Sequence, residues 1–329
     1  PRIPRPMTDR HLSAPLDARR RVRTSVVRGL LLLATLLVPS PALFATALAQ
    51  APTSPEEHLG RPLGRDFELA DWDETASYFR RLGEESPRVL VERVGSTTEG
   101  RDFLLATISS EANLARLDEW KELSARLADP RGLSAEEEAR LVDTGRVVLF
   151  VSCAMHATET AAPQWAMEFA HRLATSDDEP YASARESCVV LLAPSLNPDG
   201  QDIVVSWYRR TVATPYEASE LPELYQRYAG HDNNRDWFLL SQAETKLVTK
   251  ILYEEWHPQV YWDVHQQGNR RERFFVPPFR DPLNPNLEPL VIAGIDELGT
   301  RALFDMTRGG FTGVSTGVSY DMWWNGGNR

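Results

Sequence analysis

Apolar and polar residues follow two kinds of pattern along the chain, and each predicts one kind of element. Apolar residues at helical spacing predict four helices, the last opening on a capping box from Ser241 to Glu244, and five short apolar runs predict buried strands. Strands of this kind, separated by helices, are typical of an α/β fold with a mixed, largely parallel twisted sheet and helices on both faces. The predicted helices are 71–82, 112–127, 160–173 and 241–256, and the predicted strands are 88–94, 103–108, 146–154, 187–194 and 259–264.

Polar residues with metal-binding chemistry follow two of these predicted strands. His156 and Glu159 come directly after strand 146–154, and His265 comes directly after strand 259–264. The carboxyl ends of parallel strands meet at one edge of a sheet, where active sites collect. Two imidazoles and a carboxylate, with water in the fourth position, suit a catalytic Zn²⁺ ion. On its own, however, a histidine after a strand is more often a hydrogen-bonded structural residue.

Four further segments, together with the His156–Glu159 pair, favour the interpretation of these residues as metal ligands. In this order they resemble the M14 family of zinc carboxypeptidases, and the resemblance spans residues 95–265. Five matches in register are far more specific than any one of them. The segments are Gly95–Arg101, His156–Glu159, Asn197–Gly200, Asp232–Trp237 and Asp263–His265.

The resemblance implies a role for each residue around the metal. His156, Glu159 and His265 match the family's ligands for one zinc ion; the His₂Glu set of carboxypeptidase A is a standard example of a catalytic zinc site. Asp232 matches the carboxylate that orients the first histidine ligand and raises its basicity. Asp263 could serve His265 in the same way if their side chains share a face of the strand.

Substrate contacts are implied by the same resemblance. Asn234 and Arg235 match the pair that binds the terminal carboxylate of a peptide, for which the planar guanidinium is well suited; the alternative for Arg235 is an ordinary ion pair. Either Arg209 or Arg210 is expected to stabilise the oxyanion, and position alone does not choose between them. Tyr320 lies near the family position of the tyrosine that closes over substrate, although a core aromatic is an equal interpretation.

The chain also departs from the family pattern. Thr158 stands where many members have an arginine that positions extended substrates. The family's general-base glutamate is expected beyond residue 329, together with the last strands of the sheet. We therefore expect the longer parent to be active and these 329 residues alone to be nearly inactive, unless Glu254 or Glu255 serves as the base.

The first residues have the order of a secretory signal. With Met7 as the start, arginines between 19 and 28 precede an apolar run at 30–38 and small residues at 47–49, which predicts cleavage before Gln50. A membrane anchor is the alternative, but the apolar run is too short to cross ~30 Å of hydrocarbon, so we expect no stable anchor. The three consecutive arginines at positions 19–21 also permit export by the twin-arginine route.

Three segments follow from this interpretation. Residues 1–49 are the predicted signal peptide, 50–65 an N-terminal strap, and 66–329 a catalytic domain that is incomplete at its carboxyl end. We expect the mature protein to be exported to the periplasm or secreted. Cys153 and Cys188 lie in apolar strands; a disulfide is conceivable in an oxidising compartment, but buried thiols are favoured.

The balance of charge excludes one class of function. Residues 1–49 carry eight arginines and two aspartates, so their removal changes the formal net charge from −11 to −17. A chain this acidic is a poor candidate for binding nucleic acid.

Three hypotheses on function remain. The first is an exported metallocarboxypeptidase that acts on peptides with a free terminal carboxylate. The second is an amidase of the same superfamily that acts on cell-wall peptides or acyl-amino acids. The third is a non-catalytic zinc- or peptide-binding domain.

Overall fold

A five-stranded mixed sheet forms the centre of the protein, in a computed structural model that describes residues 51–217, 219–226, 232–267, 272–279 and 285–317. The strand order is β1-β2-β4-β3-β5. Strands β1, β3, β4 and β5 run in one direction and β2 alone in the other, which confirms the predicted largely parallel sheet. The five strands are β1 (Val89–Ser96), β2 (Asp102–Ile108), β3 (Val147–Cys153), β4 (Cys188–Ala193) and β5 (Val260–Val264). A separate two-stranded parallel pair is formed by β6 (Phe274–Phe275) and β7 (Val314–Ser315).

Helices cover both faces of this sheet. In chain order they are α1 (Pro55–Leu59), α2 (Trp72–Glu85), α3 (Glu111–Leu114), α4 (Leu117–Ala128), α5 (Ala135–Thr144), α6 (Ala161–Thr175), α7 (Tyr181–Ser187), α8 (Pro198–Thr211), α9 (Ala243–Lys250) and α10 (Pro289–Arg308). Helix α9 continues as a π-helical turn, Ile251–Trp256, and a 3₁₀ turn lies at Asn233–Arg235. Among the helices of the described ranges, none has both the length and the apolarity that crossing a membrane requires.

The strand residues divide by alternation between two hydrophobic cores. On β3, Val151 and Cys153 join the core beneath α2 and α6, whereas Val148 and Phe150 join the core beneath α4 and the π-helical turn. Side chains alternate between faces along a strand, so a central strand that is apolar throughout contributes to both cores. The continuous apolar runs of the sequence are explained by this two-sided burial.

Two predicted helix boundaries were wrong. The segment 112–127 is two helices, because the helical conformation is interrupted at Arg116, whose φ is −128°. At this interruption the carbonyl of Asn113 accepts hydrogen bonds from the Arg116 amide and the Trp120 indole. The predicted capping box from Ser241 to Glu244 does not form.

The start of α9 is capped from elsewhere in the chain. Helix α9 begins at Ala243 without a local side-chain cap. The amides of Ser241 and Gln242 donate to the carboxylate of Asp236, at 3.0 and 2.9 Å, and the Ser241 hydroxyl donates to it as well. The carboxylate of Glu244 accepts instead from the amide of Thr98, on the β1–β2 turn, at 2.8 Å. A tertiary contact has replaced the local one.

The segment Asn197–Gly200 forms the start of α8. Asn197 caps the helix by accepting from the amide of Gly200 at 2.8 Å, and Pro198 occupies the first turn. A Cβ at Gly200 would lie 2.8 Å from the Cβ of Ala157. Glycine is needed there for close approach.

Both cysteines are free thiols, as favoured from the sequence. Cys153 ends β3 and Cys188 begins β4, and because these parallel strands pair from Val147↔Cys188 onward, the two thiols lie at opposite ends of the sheet. The distance between the ends of a strand far exceeds the reach of a disulfide.

Candidate metal centre

The loop after β3 is shaped by a sharp backbone turn and by the start of α8. Ala154 has a φ of +50°, a left-handed conformation that is uncommon for a residue with a Cβ. The amide of Leu196 donates to the carbonyl of Cys153 at 2.8 Å, and Gly200 packs against Ala157. These contacts place the next residues of the loop, His156 and Glu159, at the carboxyl edge of the sheet.

The three predicted ligands converge at this edge. Nδ1 of His156 lies 2.8 Å from Oε1 of Glu159, and Nδ1 of His265 lies 3.0 Å from Oε2 of Glu159. The two imidazole rings are 4.8 Å apart, centroid to centroid. One candidate donor atom from each residue lies within 4.8 Å of the other two. The side chains are partly buried, between 15 and 26% exposed.

Each histidine uses its other ring nitrogen to contact a carboxylate. Nε2 of His156 lies 3.1 Å from Oδ2 of Asp232, and Nε2 of His265 lies 2.5 Å from Oδ2 of Asp263. Asp263 also accepts a hydrogen bond of 2.6 Å from Ser152 on the neighbouring strand β3. Carboxylates in this position fix the ring orientation, so that Nδ1 of each histidine is directed toward the space beside Glu159.

The electrostatics of the centre favour positive charge on the two imidazoles and negative charge on Glu159. Burial lowers the pKa of His156, but hydrogen bonds to Asp232 and Glu159 outweigh burial and raise the pKa to about 9. Burial also lowers the pKa of His265, but the Asp263 and Glu159 carboxylates outweigh burial and raise this pKa to about 9. Burial raises the pKa of Glu159, yet hydrogen bonds to the two imidazoles bring it below its usual range.

The donor set fits a zinc ion. In a tetrahedral site with ~2.0–2.1 Å bonds, ligand atoms lie about 3.4 Å apart, close to the 2.8 and 3.0 Å that separate the histidine nitrogens from the Glu159 oxygens. Neutral nitrogen and carboxylate oxygen donors are the set that zinc accepts, and three protein ligands leave a coordination position open. Other groups of this kind are absent from the described ranges.

The 3₁₀ turn beside the centre carries the predicted carboxylate-binding pair. The backbone amide of Asn234 donates to Oδ1 of Asp232 at 2.8 Å, so one carboxylate contacts both the turn and His156. Asn234 is 5% exposed, and the Arg235 guanidinium donates to the Asn234 carbonyl at 2.9 Å. Asp236, which is completely buried, holds the far side of the turn through its bonds to the start of α9.

The predicted oxyanion residues make contacts with other parts of the fold. Arg209 donates to Asp71 at 2.6 Å and to Glu74 at 3.0 Å, both at the start of α2. Arg210 lies over the ring of Trp207, 5.4 Å from its centroid. The oxyanion role of either arginine stays a prediction. Tyr320 lies outside the described residues.

Other predicted positions have plain locations. Thr158 is exposed on the loop between the two ligands. Glu254 and Glu255 lie on the π-helical turn after α9, where Glu255 pairs with the amine of Lys250 at 2.9 Å.

One residue near the centre was not identified from the sequence. The Asn233 side chain contacts the loop that carries His156. This position has no local signal, because it acts through a contact that is distant in sequence.

The Gly95–Arg101 turn of the family pattern has a structural use. Asp199, in the first turn of α8, accepts from the Thr97 hydroxyl at 2.7 Å, the Glu99 amide at 2.9 Å and the Arg101 guanidinium at 2.9 Å. The turn thereby holds the start of α8, and Gly200 of this helix packs against Ala157, in the loop that carries His156 and Glu159.

Comparison with known proteins identifies the class to which this fold and site belong. The sequence profile of the zinc carboxypeptidases, peptidase M14, matches residues 75–325. The match covers most of the chain, and the chain therefore belongs to the peptidase M14 family of zinc carboxypeptidases. A search of curated protein sequences found no significant match.

The chain is also similar to solved structures. Carboxypeptidase A from Helicoverpa armigera superposes with a TM-score of 0.52 at 16% identity, over 83% of this chain and 62% of that enzyme. A metallo-carboxypeptidase from Pseudomonas aeruginosa, in complex with (2-guanidinoethylmercapto)succinic acid, gives 0.48 at 18% identity over 77% and 52%. One from Burkholderia cenocepacia gives 0.46 at 17% identity over 75% and 52%. The chain thus spans about 62% of the length of the Helicoverpa enzyme, whose likeness supports the fold alone.

Proposed function

We propose that this protein is a zinc-dependent metallocarboxypeptidase that hydrolyses the last peptide bond of peptides with a free terminal carboxylate. The observation that carries the proposal is the convergence of His156, Glu159 and His265 beside the Asn234–Arg235 turn. Membership of the zinc carboxypeptidase family supports the same reaction. In this proposal the three converging residues are the ligands of one zinc ion.

The protein's own residues prepare the site for that ion. A bound zinc ion supplies Lewis acidity and lowers the pKa of a coordinated water. Asp232 and Asp263 contact Nε2 of His156 and His265, and each Nδ1 faces Glu159, where it is placed to ligate the ion. Glu159 contributes the negative charge that a divalent cation requires.

Recognition of the substrate is assigned to the 3₁₀ turn. Arg235 offers a planar pair of donors for a carboxylate, and Asn234 adds an amide beside it. The pair distinguishes a chain end from a bond inside a peptide, because only the end carries the α-carboxylate. Arg209 or Arg210 for the oxyanion and Tyr320 for closure complete the proposed set.

Location and partners follow from the sequence. We propose export to the periplasm or beyond, with removal of residues 1–49, and peptides as the partners. The net charge of −17 on residues 50–329 attracts basic peptides within a Debye length of ~8–10 Å.

Binding of a blocked dipeptide tests the assignment of the carboxylate pocket. We expect the zinc-loaded chain to bind N-benzoylglycyl-phenylalanine at least about tenfold more tightly than its C-terminal amide, in calorimetric titration. Arg235→Met should abolish this preference, and Arg301→Met, on the exposed face of α10, should leave it intact. Equal binding of acid and amide would refute terminal-carboxylate recognition and favour an amidase of the same family.

A further inference from the structure

Asn233 lies between residues with assigned roles, but the family pattern gives it none. Asp232 before it contacts the ring of His156, and Asn234 and Arg235 after it form the proposed carboxylate pocket. The Asn233 residue itself is only 2% exposed. A buried amide must satisfy both of its polar ends within the protein.

Both ends of the Asn233 amide have defined partners. Its Nδ2 donates to the backbone carbonyl of Met155 at 2.7 Å, and its Oδ1 accepts from Nε2 of Gln226 at 3.1 Å. A carbonyl accepts only and the Gln226 amide nitrogen donates only, so the two contacts fix the orientation of the Asn233 side chain.

The Met155 carbonyl is a sensitive place for such a bond. Met155 immediately precedes His156 and follows Ala154, whose left-handed φ of +50° turns the chain at the end of β3. The Met155 side chain is fixed in the core beneath α4, where it is 1% exposed. The peptide between residues 155 and 156 is thus held from both sides, by the core and by Asn233.

We propose that Asn233 is a positioning residue that joins the carboxylate pocket to the metal-ligand loop, so that the substrate's terminal carboxylate and the zinc ion are held at a fixed separation. This inference rests on the proposed function. Asp232 orients the ring of His156, and Asn233 fixes the backbone that carries it; the 3₁₀ turn therefore controls His156 at two points. Neighbouring side chains on one turn link metal binding and substrate binding.

A substitution of the same shape isolates the contact. Asn233→Asp retains the size of the side chain and the acceptor for Gln226, but an aspartate cannot donate to the Met155 carbonyl. The full chain carrying N233D should show about tenfold weaker zinc affinity in competition with a chelator, the order expected when a residue that supports a ligand is lost. Its cobalt-substituted form should show a shifted visible spectrum, and its zinc form should bind the blocked dipeptide more weakly.

Asn113 provides the matched control. It is 3% exposed and donates from its side chain to the backbone carbonyls of Arg185 and Glu186, at 3.0 and 3.1 Å, beside the amino-terminal end of β4. N113D should lower thermal stability as N233D does, while zinc affinity, cobalt spectrum and dipeptide affinity stay within twofold of the wild type.

The outcomes separate the inference from the proposed function. An N233D protein with unchanged zinc affinity, spectrum and dipeptide affinity, or an N113D protein that loses them equally, overturns the positioning role. If N233D does not fold, Gln226→Glu, which removes the donor to Asn233, decides the question; unchanged zinc affinity in Q226E is then the contrary result. A wild-type chain that binds neither zinc nor dipeptide refutes the proposed function itself.

Discussion

At the scale of single residues, the centre depends on how each imidazole is oriented. His156 and His265 both direct Nδ1 toward Glu159 and Nε2 toward a carboxylate. An imidazole has two nitrogens, and only a partner on one of them makes the other a reliable ligand. Asp232 and Asp263 supply those partners from different parts of the chain.

Substitution of these carboxylates by the amide tests their role. Asp263→Asn and Asp232→Asn should each lower zinc affinity by about 10–100-fold, because an amide holds the ring less firmly and no longer raises its basicity. Chelator competition measures both. Zinc affinities equal to the wild type would show that these carboxylates do not support the two histidines as ligands.

At the scale of elements, the start of α8 supports the loop that carries His156 and Glu159. Gly200 approaches Ala157 so closely that a Cβ at position 200 would lie 2.8 Å from the Ala157 side chain and 2.7 Å from Nδ2 of Asn197. Real Cβ atoms do not approach other atoms so closely, so the helix or the loop would have to move. The packing of one helix end therefore controls where His156 lies.

Two glycine-to-alanine changes separate packing from helix propensity. Gly200→Ala should lower the free energy of unfolding by about 1–3 kcal/mol, because overpacking outweighs the gain in helix propensity. Gly294→Ala, within α10 where nothing lies within 4 Å of the new Cβ, should raise it by about 0.5–1 kcal/mol. Urea denaturation measures both. A stabilised G200A would contradict the close packing of α8 on the loop.

A contact between Thr53, which precedes α1, and the end of α2 is a second interaction at this scale, and it has a defined pH dependence. Glu85, at the end of α2, accepts from the Thr53 amide at 2.6 Å and from Arg81 at 2.7 Å. The hydrogen bonds from Arg81 and then from Thr53 lower the pKa of Glu85 to about 2. A carboxyl group whose pKa is lower in the folded state than in the unfolded state stabilises the fold at a pH above its unfolded-state pKa. This stabilisation is lost as the pH falls through the folded-state pKa.

The pH profile of a Glu85 variant tests that contact. The difference in Tm between the wild type and Glu85→Gln should be present at pH 6–7 and should shrink between about pH 4.5 and pH 2, as Glu85 becomes protonated. Glu84→Gln, exposed one residue earlier, is the surface control. A difference that is constant over this range would mean that the carboxylate charge does not hold the strap.

At the scale of the whole molecule, the central sheet and the convergence of His156, Glu159 and His265 could be predicted from the sequence, whereas the contacts that support them could not. The two-sided burial of β3 is visible in its apolar run, and the ligands His156, Glu159 and His265 follow strands whose ends meet. The cap of α9 by Asp236 and the bond from Asn233 to Met155 join residues that are distant in sequence, or compete with a plausible local alternative, as at Ser241. No short window of sequence contains both Asn233 and Met155, which are 78 residues apart.

The central claim is that His156, Glu159 and His265 hold one zinc ion, and metal content at controlled free zinc tests it most directly. After equilibrium dialysis we expect one zinc per wild-type chain, and His265→Ala and Glu159→Ala should lose the ion at free-zinc concentrations that saturate the wild type, with the fold retained by circular dichroism. A wild-type chain that binds no zinc, or an H265A chain that retains one ion with unchanged affinity, would contradict the assignment.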